Sequence, residues 1–410
     1  MTARRSVLFV HQNFPGQFPH IARALVARGD RVAAIGSATA KGLPGVDLRR
    51  WSNRRGTTPN IFEPAIRAEA DLIRADAAAW AAAQLKADGF EPDVIVGNPG
   101  WGETLHLKKV WPAAKLALLV EYWYVDEGGD VGFDPEFGGA VDLTTRLSLN
   151  ARNMSQALAC TIADLIVCPT PFQASLFPSE IRKRIEIHHE GIDLARAARP
   201  PFKKIRLPDG TVLDGTRPVV TFIARTLEPL RGFHSFMRAL PALMATSPTA
   251  EVVVIGSDDQ AGYGMAAPAG RTWKARMLDE VGARIDLGRL HFTGRIEHRE
   301  MMQLLSMSAA HVYLTYPFTL SWSLLEAMAS GCLVVGSDTA PVRDAIVANE
   351  TGLLVDFFAP DEIAAAINRV LAHPNEFTGM REAAQSSVLE RFDAERSGTP
   401  GWLARIDALT

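Results

Sequence analysis

Two arginines occupy positions where they could bind a diphosphate. Arg225 follows an apolar run that predicts a buried strand, and Arg231 directly precedes Gly232 at the start of a predicted helix. Fixed cations at a strand end can neutralise a diphosphate and stabilise the negative charge that grows on it as it leaves. Two solvated arginines in an ordinary loop are the alternative interpretation.

Residues 316–331, with the sequence YPFTLSWSLLEAMASG, follow a predicted strand and should begin a helix near Ser321 and Ser323. Serine is a good N-cap residue, and the free N–H groups of a helix N-terminus favour an anion such as phosphate. Glu326 lies one to two turns further along, where its carboxylate could accept hydrogen bonds from both hydroxyls of a ribose. A plain strand–loop–helix unit with capping serines fits the spacing equally well.

Aromatic and acidic residues cluster after two predicted strands in the first half of the chain. Trp101 and Glu103 follow one strand, and Glu121, Tyr122 and Tyr124 follow the next. Aromatic rings at strand ends could stack on sugar rings, although clustered aromatics are also typical of a protein core. We expect Trp101, Glu103, Tyr122 and Tyr124 to line an acceptor site.

The elements that must position these residues form two series of alternating strands and helices. Short, continuous apolar runs predict buried parallel strands, and amphipathic segments follow them. A connector rich in proline and basic residues joins the two series. The pattern predicts two doubly wound, Rossmann-like α/β domains that face each other across a cleft. We expect an N-terminal domain over residues 1–200, a C-terminal domain over residues 201–390, and a helical tail over residues 391–410 that packs back toward the N-terminal domain.

Composition restricts the class of protein. The 410 residues are 47% hydrophobic and 22% charged, as expected for a globular protein that is too long for one core. A net charge of −3 argues against broad nucleic-acid binding. The three cysteines form no Cys-x-x-Cys pair, and no apolar run reaches the length of a membrane-spanning helix. We therefore expect a cytoplasmic protein with no nucleic-acid partner.

A short basic segment at residues 49–55 surrounds one tryptophan with four arginines. These residues are Arg49, Arg50, Trp51, Arg54 and Arg55. Such a loop suits an anionic acceptor or an anionic membrane surface, whereas most charge runs are solvated loops. A peripheral contact with the inner face of the membrane therefore stays open as a hypothesis.

The motifs above resemble a known family. The sequence EAMASG at 326–331 is similar to the C-terminal signature of family 4 retaining glycosyltransferases, which have the GT-B fold. The sequences HQNFPGQF at 11–18 and TYPFTLSWSLLEAM at 315–328 resemble one bacterial subgroup of that family. The resemblance covers nearly the whole chain. It implies transfer of a sugar from a UDP-sugar or GDP-sugar to an acceptor hydroxyl, in the synthesis of a bacterial surface polysaccharide or glycolipid.

The resemblance also implies a role for individual residues. Arg225 and Arg231 would hold the donor diphosphate and act in catalysis, with Arg231 replacing the lysine usual in the family. Glu326 would bind the ribose, and Glu121 stands near the position of a histidine that lies close to the donor sugar in many members. The other residues assigned to donor binding are Gly16, Arg295, Leu320, Ser321, Trp322 and Ser323.

The resemblance implies a nucleotide-sugar donor, a glycan or lipid-linked acceptor, no cofactor and no required metal. No Asp-x-Asp triplet occurs to bind a divalent cation, and we interpret the acidic pair Asp258 and Asp259 as part of a solvated loop.

One residue departs from the family pattern. Phe318 stands eight positions before Glu326, where the family has a glutamate that helps to hold the donor sugar. A phenylalanine side chain offers no such acceptor, so sugar recognition must differ here. A non-catalytic sugar-nucleotide-binding protein is therefore one alternative. An epimerase or phosphorylase of the same fold is another, because it would also bind a nucleotide or phosphate.

Overall fold

The computed structural model describes residues 4–137, 140–197, 204–259, 262–268 and 270–410. The chain divides into two compact units. The first comprises Met1–Gly132, Ala140–Gly191 and Ala394–Thr410, and the second comprises Phe133–Gly139 and Ile192–Asp393. The division after Gly191 differs from the expected one at residue 200, and the short segment Phe133–Gly139 was not expected in the second unit.

Seven parallel strands form the sheet of the first unit. They are β1 (Ser6–Val10), β2 (Arg31–Ser37), β3 (Asp47–Trp51), β4 (Val94–Gly97), β5 (Lys115–Leu119), β6 (Leu165–Cys168) and β7 (Ile185–Ile187). Their order in the sheet is β3-β2-β1-β4-β5-β6-β7. The helices of this stretch are α1 (Pro19–Arg28), α2 (Ala65–Ala87), α3 (Leu107–Val110), α4 (Leu143–Arg152), α5 (Met154–Ile162), α6 (Pro171–Ser175) and α7 (Ser179–Arg182).

The central strand β1 is apolar throughout because both of its faces are covered. Leu8 and Val10 pack into a core cluster that includes residues of α2, whereas Val7 and Phe9 pack into another that includes residues of α1. Side chains of a strand alternate between its two faces, so a strand with helices on both sides is a continuous apolar run.

The second unit is built on six parallel strands. Its strands are β8 (Ile205–Arg206), β9 (Val212–Leu213), β10 (Val219–Thr226), β11 (Glu251–Ser257), β12 (Leu290–Gly294), β13 (Ser308–Tyr313), β14 (Leu333–Ser337) and β15 (Leu353–Val355). The main sheet has the order β12-β11-β10-β13-β14-β15, and β8 and β9 form a separate antiparallel pair. Its helices are α8 (Leu194–Ala197), α9 (Phe233–Thr246), α10 (Trp273–Val281), α11 (His298–Met307), α12 (Trp322–Ala329), α13 (Ala340–Arg343), α14 (Pro360–Ala372) and α15 (Thr378–Arg391).

Both main sheets reverse their strand order beside the central strand. The reversal lies between β1 and β4 in the first unit and between β10 and β13 in the second. The prediction of two doubly wound α/β domains is therefore confirmed. Open sheets of this kind bind ligands beyond the carboxyl ends of the strands at such a reversal.

The basic segment at residues 49–55 is not a loop as predicted, because Arg49 and Arg50 belong to strand β3. Arg49 forms an ion pair with Asp88, and Arg50 donates to a backbone carbonyl. The guanidinium of Arg54 lies 4.7 Å from the ring centroid of Trp80. Among the helices that the structure describes, none has the length and apolar character needed to cross a membrane.

The last helix, α16 (Thr399–Ala408), belongs to the first unit. Trp402 and Ile406 are fully buried in the core cluster that contains β1, and Trp402 packs edge-on against Phe18. Ion pairs from Arg28 and Arg5 to Asp407 hold the end of the helix. Residues far apart in the chain therefore complete one core.

We expect Trp402→Ala to destabilise the first unit by about 3–5 kcal/mol, because the change leaves a large cavity in a closely packed core. Chemical denaturation followed by circular dichroism would measure the loss. Trp80→Ala is the matched control, because Trp80 is 52% exposed and its truncation should cost less than about 1 kcal/mol. Equal losses in both variants would contradict the assignment of α16 to this core.

Candidate functional site

The carboxyl end of β10 places Arg225 beside an aromatic residue of the loop that follows β11. Nη1 of Arg225 donates to the hydroxyl of Tyr263 at 2.8 Å. The buried carboxylate of Glu228 accepts from the backbone N–H groups of Tyr263 and Gly264, at 3.2 and 2.9 Å. A Cβ atom at Gly262 would lie 2.5 Å from that carboxylate, so a larger residue there would displace the side chain of Glu228.

Arg231 lies at the end of a short 3₁₀ turn and bonds to residues that follow β13. Its Nη1 donates to the hydroxyl of Thr315 at 3.0 Å and lies 3.5 Å from the hydroxyl of Tyr313. The same Tyr313 oxygen accepts from the backbone N–H of Ser321 at 3.3 Å. Tyr313 therefore connects Arg231 with the start of α12.

Phe318 joins the two arginines into one group. Its ring centroid lies 6.0 Å from that of Tyr263 and 5.6 Å from the guanidinium carbon of Arg231. A cation over an aromatic face is attractive by about 0.5–2 kcal/mol. We refer to Arg225, Arg231, Tyr263 and Phe318 as the arginine–aromatic cluster.

Helix α12 begins beside this cluster and carries Glu326. Ser321 caps the helix by accepting from the backbone N–H of Ser323 at 3.3 Å. Leu320 is buried and Trp322 is half-buried. Oε1 of Glu326 lies 2.6 Å from Nε2 of His298, the first residue of α11.

Arg295 lies at the end of β12 and approaches Arg225 through a shared neighbour. Its Nη2 lies 3.2 Å from the hydroxyl of Ser257, and that hydroxyl donates to the backbone carbonyl of Arg225 at 2.9 Å. Arg295 also forms an ion pair with Asp259. Asp259 is 55% exposed, so this pair is consistent with the interpretation of Asp258 and Asp259 as part of a solvated loop.

In the first unit, the loop after β1 requires a glycine beside a histidine. Gly16 has φ +53°, and a Cβ atom there would lie 2.7 Å from the ring of His11. Burial lowers the pKa of His11 to about 4, although an interaction with the side chain of Gln17 raises it, so the ring is neutral at pH 7. The ring packs edge-on against Trp101 at 5.3 Å.

Asn98 follows β4 and connects the turn Pro99–Trp101 with Glu121. Its Oδ1 caps the turn, and its Nδ2 donates to Oε2 of Glu121 at 2.6 Å. Burial and the negative charge of Glu190 raise the pKa of Glu121 to about 7, against hydrogen bonds from two side-chain amides. Glu121 can therefore exchange a proton near neutral pH.

The other predicted acceptor residues are held within the first unit. Glu103 is 1% exposed, and in the described part of the chain neither of its carboxylate oxygens has a hydrogen-bond partner. Burial raises its pKa to about 7. Tyr122 is buried and donates to Asp130 at 2.8 Å, and Tyr124 packs edge-on against Tyr122. Stacking of a sugar on Tyr122 is therefore disfavoured, because its ring is already covered.

Sequence reasoning missed several residues that contact the predicted ones. Tyr313 is the last residue of the strand before α12, Thr315 follows it, and Tyr263 stands between two glycines. Their positions at a strand end and in a glycine-containing loop could have been recognised in the sequence. His298 lies 28 residues before Glu326, and no local pattern connects them. Among the described residues, no group of three or more His, Cys, Asp or Glu side chains could hold a metal ion.

Comparison with known families matches both halves of the chain. A model of the glycosyl transferase family 4 group matches residues 28–197, and a model of glycosyl transferases group 1 matches residues 204–387. The phosphatidyl-myo-inositol mannosyltransferase of Mycolicibacterium smegmatis is 29% identical over 207 residues, which cover 50% of this chain and 47% of that protein. The chain spans about half the length of the curated relatives it matches.

Comparison with solved structures identifies the fold. Sucrose-phosphate synthase from Thermosynechococcus elongatus has a TM-score of 0.73 at 18% identity, with 99% of this chain and 100% of that chain covered. Anabaena Alr3699/HepE, in a complex with UDP and glucose, has a TM-score of 0.67 at 16% identity, with the same coverage. At these identities the likeness establishes the fold alone, and the predicted GT-B fold is confirmed.

The raised pKa of Glu121 predicts a pH-dependent stability. Between pH 4.5 and 7 the folded protein binds more protons at this carboxyl than the unfolded chain, so its contribution to stability falls as pH rises. Replacing it by glutamine, which carries no charge, should remove that slope. Urea unfolding of wild type and Glu121→Gln between pH 5 and 8 would show the variant gaining relative stability at the higher pH.

Glu63→Gln is the control, since Glu63 is exposed, and its stability relative to wild type should not change over this range. A parallel response in Glu121→Gln and the control would contradict the buried charge at Glu121.

Proposed function

Because the chain belongs to the family 4 glycosyltransferases, we propose that it transfers a sugar from a nucleoside diphosphate to an acceptor hydroxyl with retention of configuration. The observation that carries the proposal is the arginine–aromatic cluster, which lies at the reversal of strand order in the second unit and adjoins the start of α12. A diphosphate bound there meets two guanidinium groups and the N-terminus of a helix.

The diphosphate is also the leaving group, so its negative charge increases as the bond to the sugar breaks. Arg225 and Arg231 stabilise that charge in a fixed geometry, which lowers the barrier. The leaving phosphate oxygen takes the proton of the acceptor hydroxyl on the same face of the sugar. The reaction needs no metal, because the arginines supply the positive charge.

Glu326 anchors the nucleotide. Its Oε1 is hydrogen-bonded to His298, and in the described part of the chain no hydrogen bond reaches Oε2. The free oxygen accepts from a ribose hydroxyl, and His298 keeps the carboxylate in place. The further donor contacts are Gly16, Arg295, Leu320, Ser321, Trp322 and Ser323.

The acceptor interacts with the first unit. Glu121 is the catalytic residue of this unit and stands near the reacting hydroxyl, whose proton passes to the leaving phosphate; its carboxyl titrates near neutral pH and can hydrogen-bond to the hydroxyl in either protonation state. Trp101, Glu103, Tyr122 and Tyr124 belong to the same acceptor region. The acceptor is a glycan or a lipid-linked glycan of a bacterial surface polysaccharide or glycolipid, made in the cytoplasm with the basic segment 49–55 against the membrane.

The donor nucleotide can be identified by calorimetry with UDP and GDP. UDP is the first choice because the similar Anabaena protein is complexed with UDP and glucose. We expect Glu326→Ala to weaken binding about 10- to 100-fold, since a hydrogen bond to a charged group contributes about 1.5–3 kcal/mol. Arg231→Ala should weaken it similarly, because the cation contacts the phosphates.

Glu382→Ala and Arg343→Ala are matched controls, because both residues are exposed and lie outside the cluster, and both should bind like wild type. Wild-type affinity in Glu326→Ala would refute the nucleotide site. Turnover without an acceptor would favour an epimerase or hydrolase. Binding without turnover on any acceptor would favour the non-catalytic alternative that Phe318 raises.

A further inference from the structure

Asp134 is a fully buried carboxylate in the second unit that the proposed reaction does not use. It is 1% exposed and belongs to the short segment Phe133–Gly139, which the chain inserts between β5 and α4 of the first unit. Its Oδ1 accepts from the backbone N–H groups of Glu136 and Phe137, at 2.8 and 3.3 Å. A side chain that bonds its own backbone in this way fixes a tight turn.

The other oxygen of Asp134 connects two separate stretches of the chain. Oδ2 accepts from the hydroxyl of Tyr316 at 2.6 Å and lies 3.1 Å from Nε2 of His234. Tyr316 and His234 are 7% and 2% exposed, so all three polar groups are shielded from water. Buried polar groups of this kind are costly unless they are paired, and the pairing then fixes their positions.

Both partners of Asp134 are neighbours of Arg231. His234 lies three residues after Arg231, at the start of α9. Tyr316 directly follows Thr315, which accepts from Arg231, and stands two residues before Phe318, which packs on its guanidinium. The backbone N–H of Tyr316 also donates to the carbonyl of Leu230 at 2.9 Å. The start of α9 and the residues that follow β13, which both lie next to Arg231, are therefore connected through the carboxylate of Asp134.

The inserted segment has its own anchors in the second unit. Glu136 forms a bidentate ion pair with Arg238 at 2.6 and 2.9 Å, and Arg238 also pairs with Glu280. The ring of Phe137 packs edge-on against His234 and Trp273. The ion pair of Glu136 and the contact of Phe137 with Trp273 therefore hold the segment in addition to the bonds that Asp134 makes to Tyr316 and His234.

We propose that Asp134 is a positioning residue, which fixes the guanidinium of Arg231 at the donor diphosphate by holding Tyr316 and His234 together. This inference rests on the proposed function of the arginine–aromatic cluster. Asp134 acts through Tyr316 and touches no substrate.

Asp134 holds Tyr316 and His234 together in its ionised form. Burial alone would raise the pKa of Asp134, but hydrogen bonds from His234 and Tyr316 outweigh it and hold the pKa at about 2. All four of its contacts come from N–H or O–H donors. An asparagine carries no negative charge and has only one acceptor oxygen, so in Asp134→Asn either the two backbone N–H groups or Tyr316 and His234 lose the carboxylate oxygen to which they donate.

The experiment compares Asp134→Asn, Tyr316→Phe and the double variant with wild type. With the donor sugar of the best-bound nucleotide, kcat should fall by about 10- to 100-fold in each single variant, because a small misplacement of a catalytic group is costly. The KM for the acceptor should change little. The midpoint of unfolding should fall, because each variant leaves a buried polar group without its partner, so kcat is compared well below that midpoint. The double variant should lose no more than Asp134→Asn, since both changes break one connection.

Hydrogen exchange of the free protein gives a second readout that requires no ligand. The backbone amides of residues 315–323 should exchange faster in Asp134→Asn and Tyr316→Phe than in wild type. Glu136→Gln is the matched control, because it weakens an anchor of the same segment without touching Tyr316, and it should behave like wild type in both assays.

Additive losses in the double variant, or equal losses in Glu136→Gln, would overturn the proposal in favour of a general structural role. Failure of wild type to bind UDP, GDP, ADP or dTDP would refute the proposed function. The exchange comparison would then still decide whether Asp134 orders the loop that holds Arg231. If Asp134→Asn fails to fold, Tyr316→Phe alone still provides the hydrogen-exchange comparison, because it breaks the same hydrogen bond.

Discussion

The central constraint in this protein is that two cations must stay in fixed positions without being neutralised. Arg225 bonds to the hydroxyl of Tyr263 and Arg231 to that of Thr315, and each also faces an aromatic ring. Hydroxyls and rings orient a guanidinium but do not cancel its charge, whereas Arg238 is sandwiched between two carboxylates. The end of β10 therefore keeps a positive potential that an anion can use. The buried carboxylate of Glu228 accepts from the backbone of the loop that carries Tyr263, and burial raises its pKa whereas the positive charge of Arg231 lowers it, so Glu228 offsets part of the positive charge.

Most of the fold could be predicted from the sequence because parallel sheets covered on both faces leave a clear pattern. Strands such as β1 and β10 are apolar runs followed by helices, and both were identified. Strand β3 was not, because it is an edge strand with the polar sequence DLRRW and resembles a charged loop. The inserted segment was missed for another reason, since its partners Tyr316 and His234 lie about 180 and 100 positions further along the chain. No local pattern records such contacts.

The candidate site also contains some residues that the sequence could indicate and others that it could not. Arg225, Arg231 and Glu326 could be proposed because strand ends and helix starts are visible in the sequence, and the structure links the arginines through Tyr263 and Phe318. The function of Phe318 could not be predicted from its position alone. A ring has no acceptor for a hydroxyl, but its face attracts a cation, and this depends on where Arg231 lies in space. The assignment of Tyr122 to the acceptor site stays a prediction, and its buried ring shows that an aromatic residue at a strand end can also be part of the protein interior.

The position of α16 has a consequence for how the chain acquires its structure during synthesis. The strands of the first unit leave the ribosome early, but Trp402 and Ile406, which fill its core, are translated after the second unit. The second unit ends at Asp393, before α16 begins. The first unit can therefore complete its core only after the whole of the second unit has been synthesised and could have folded. Until then the first unit exposes the apolar surface that Trp402 and Ile406 later cover, and exposed surface of this kind favours aggregation.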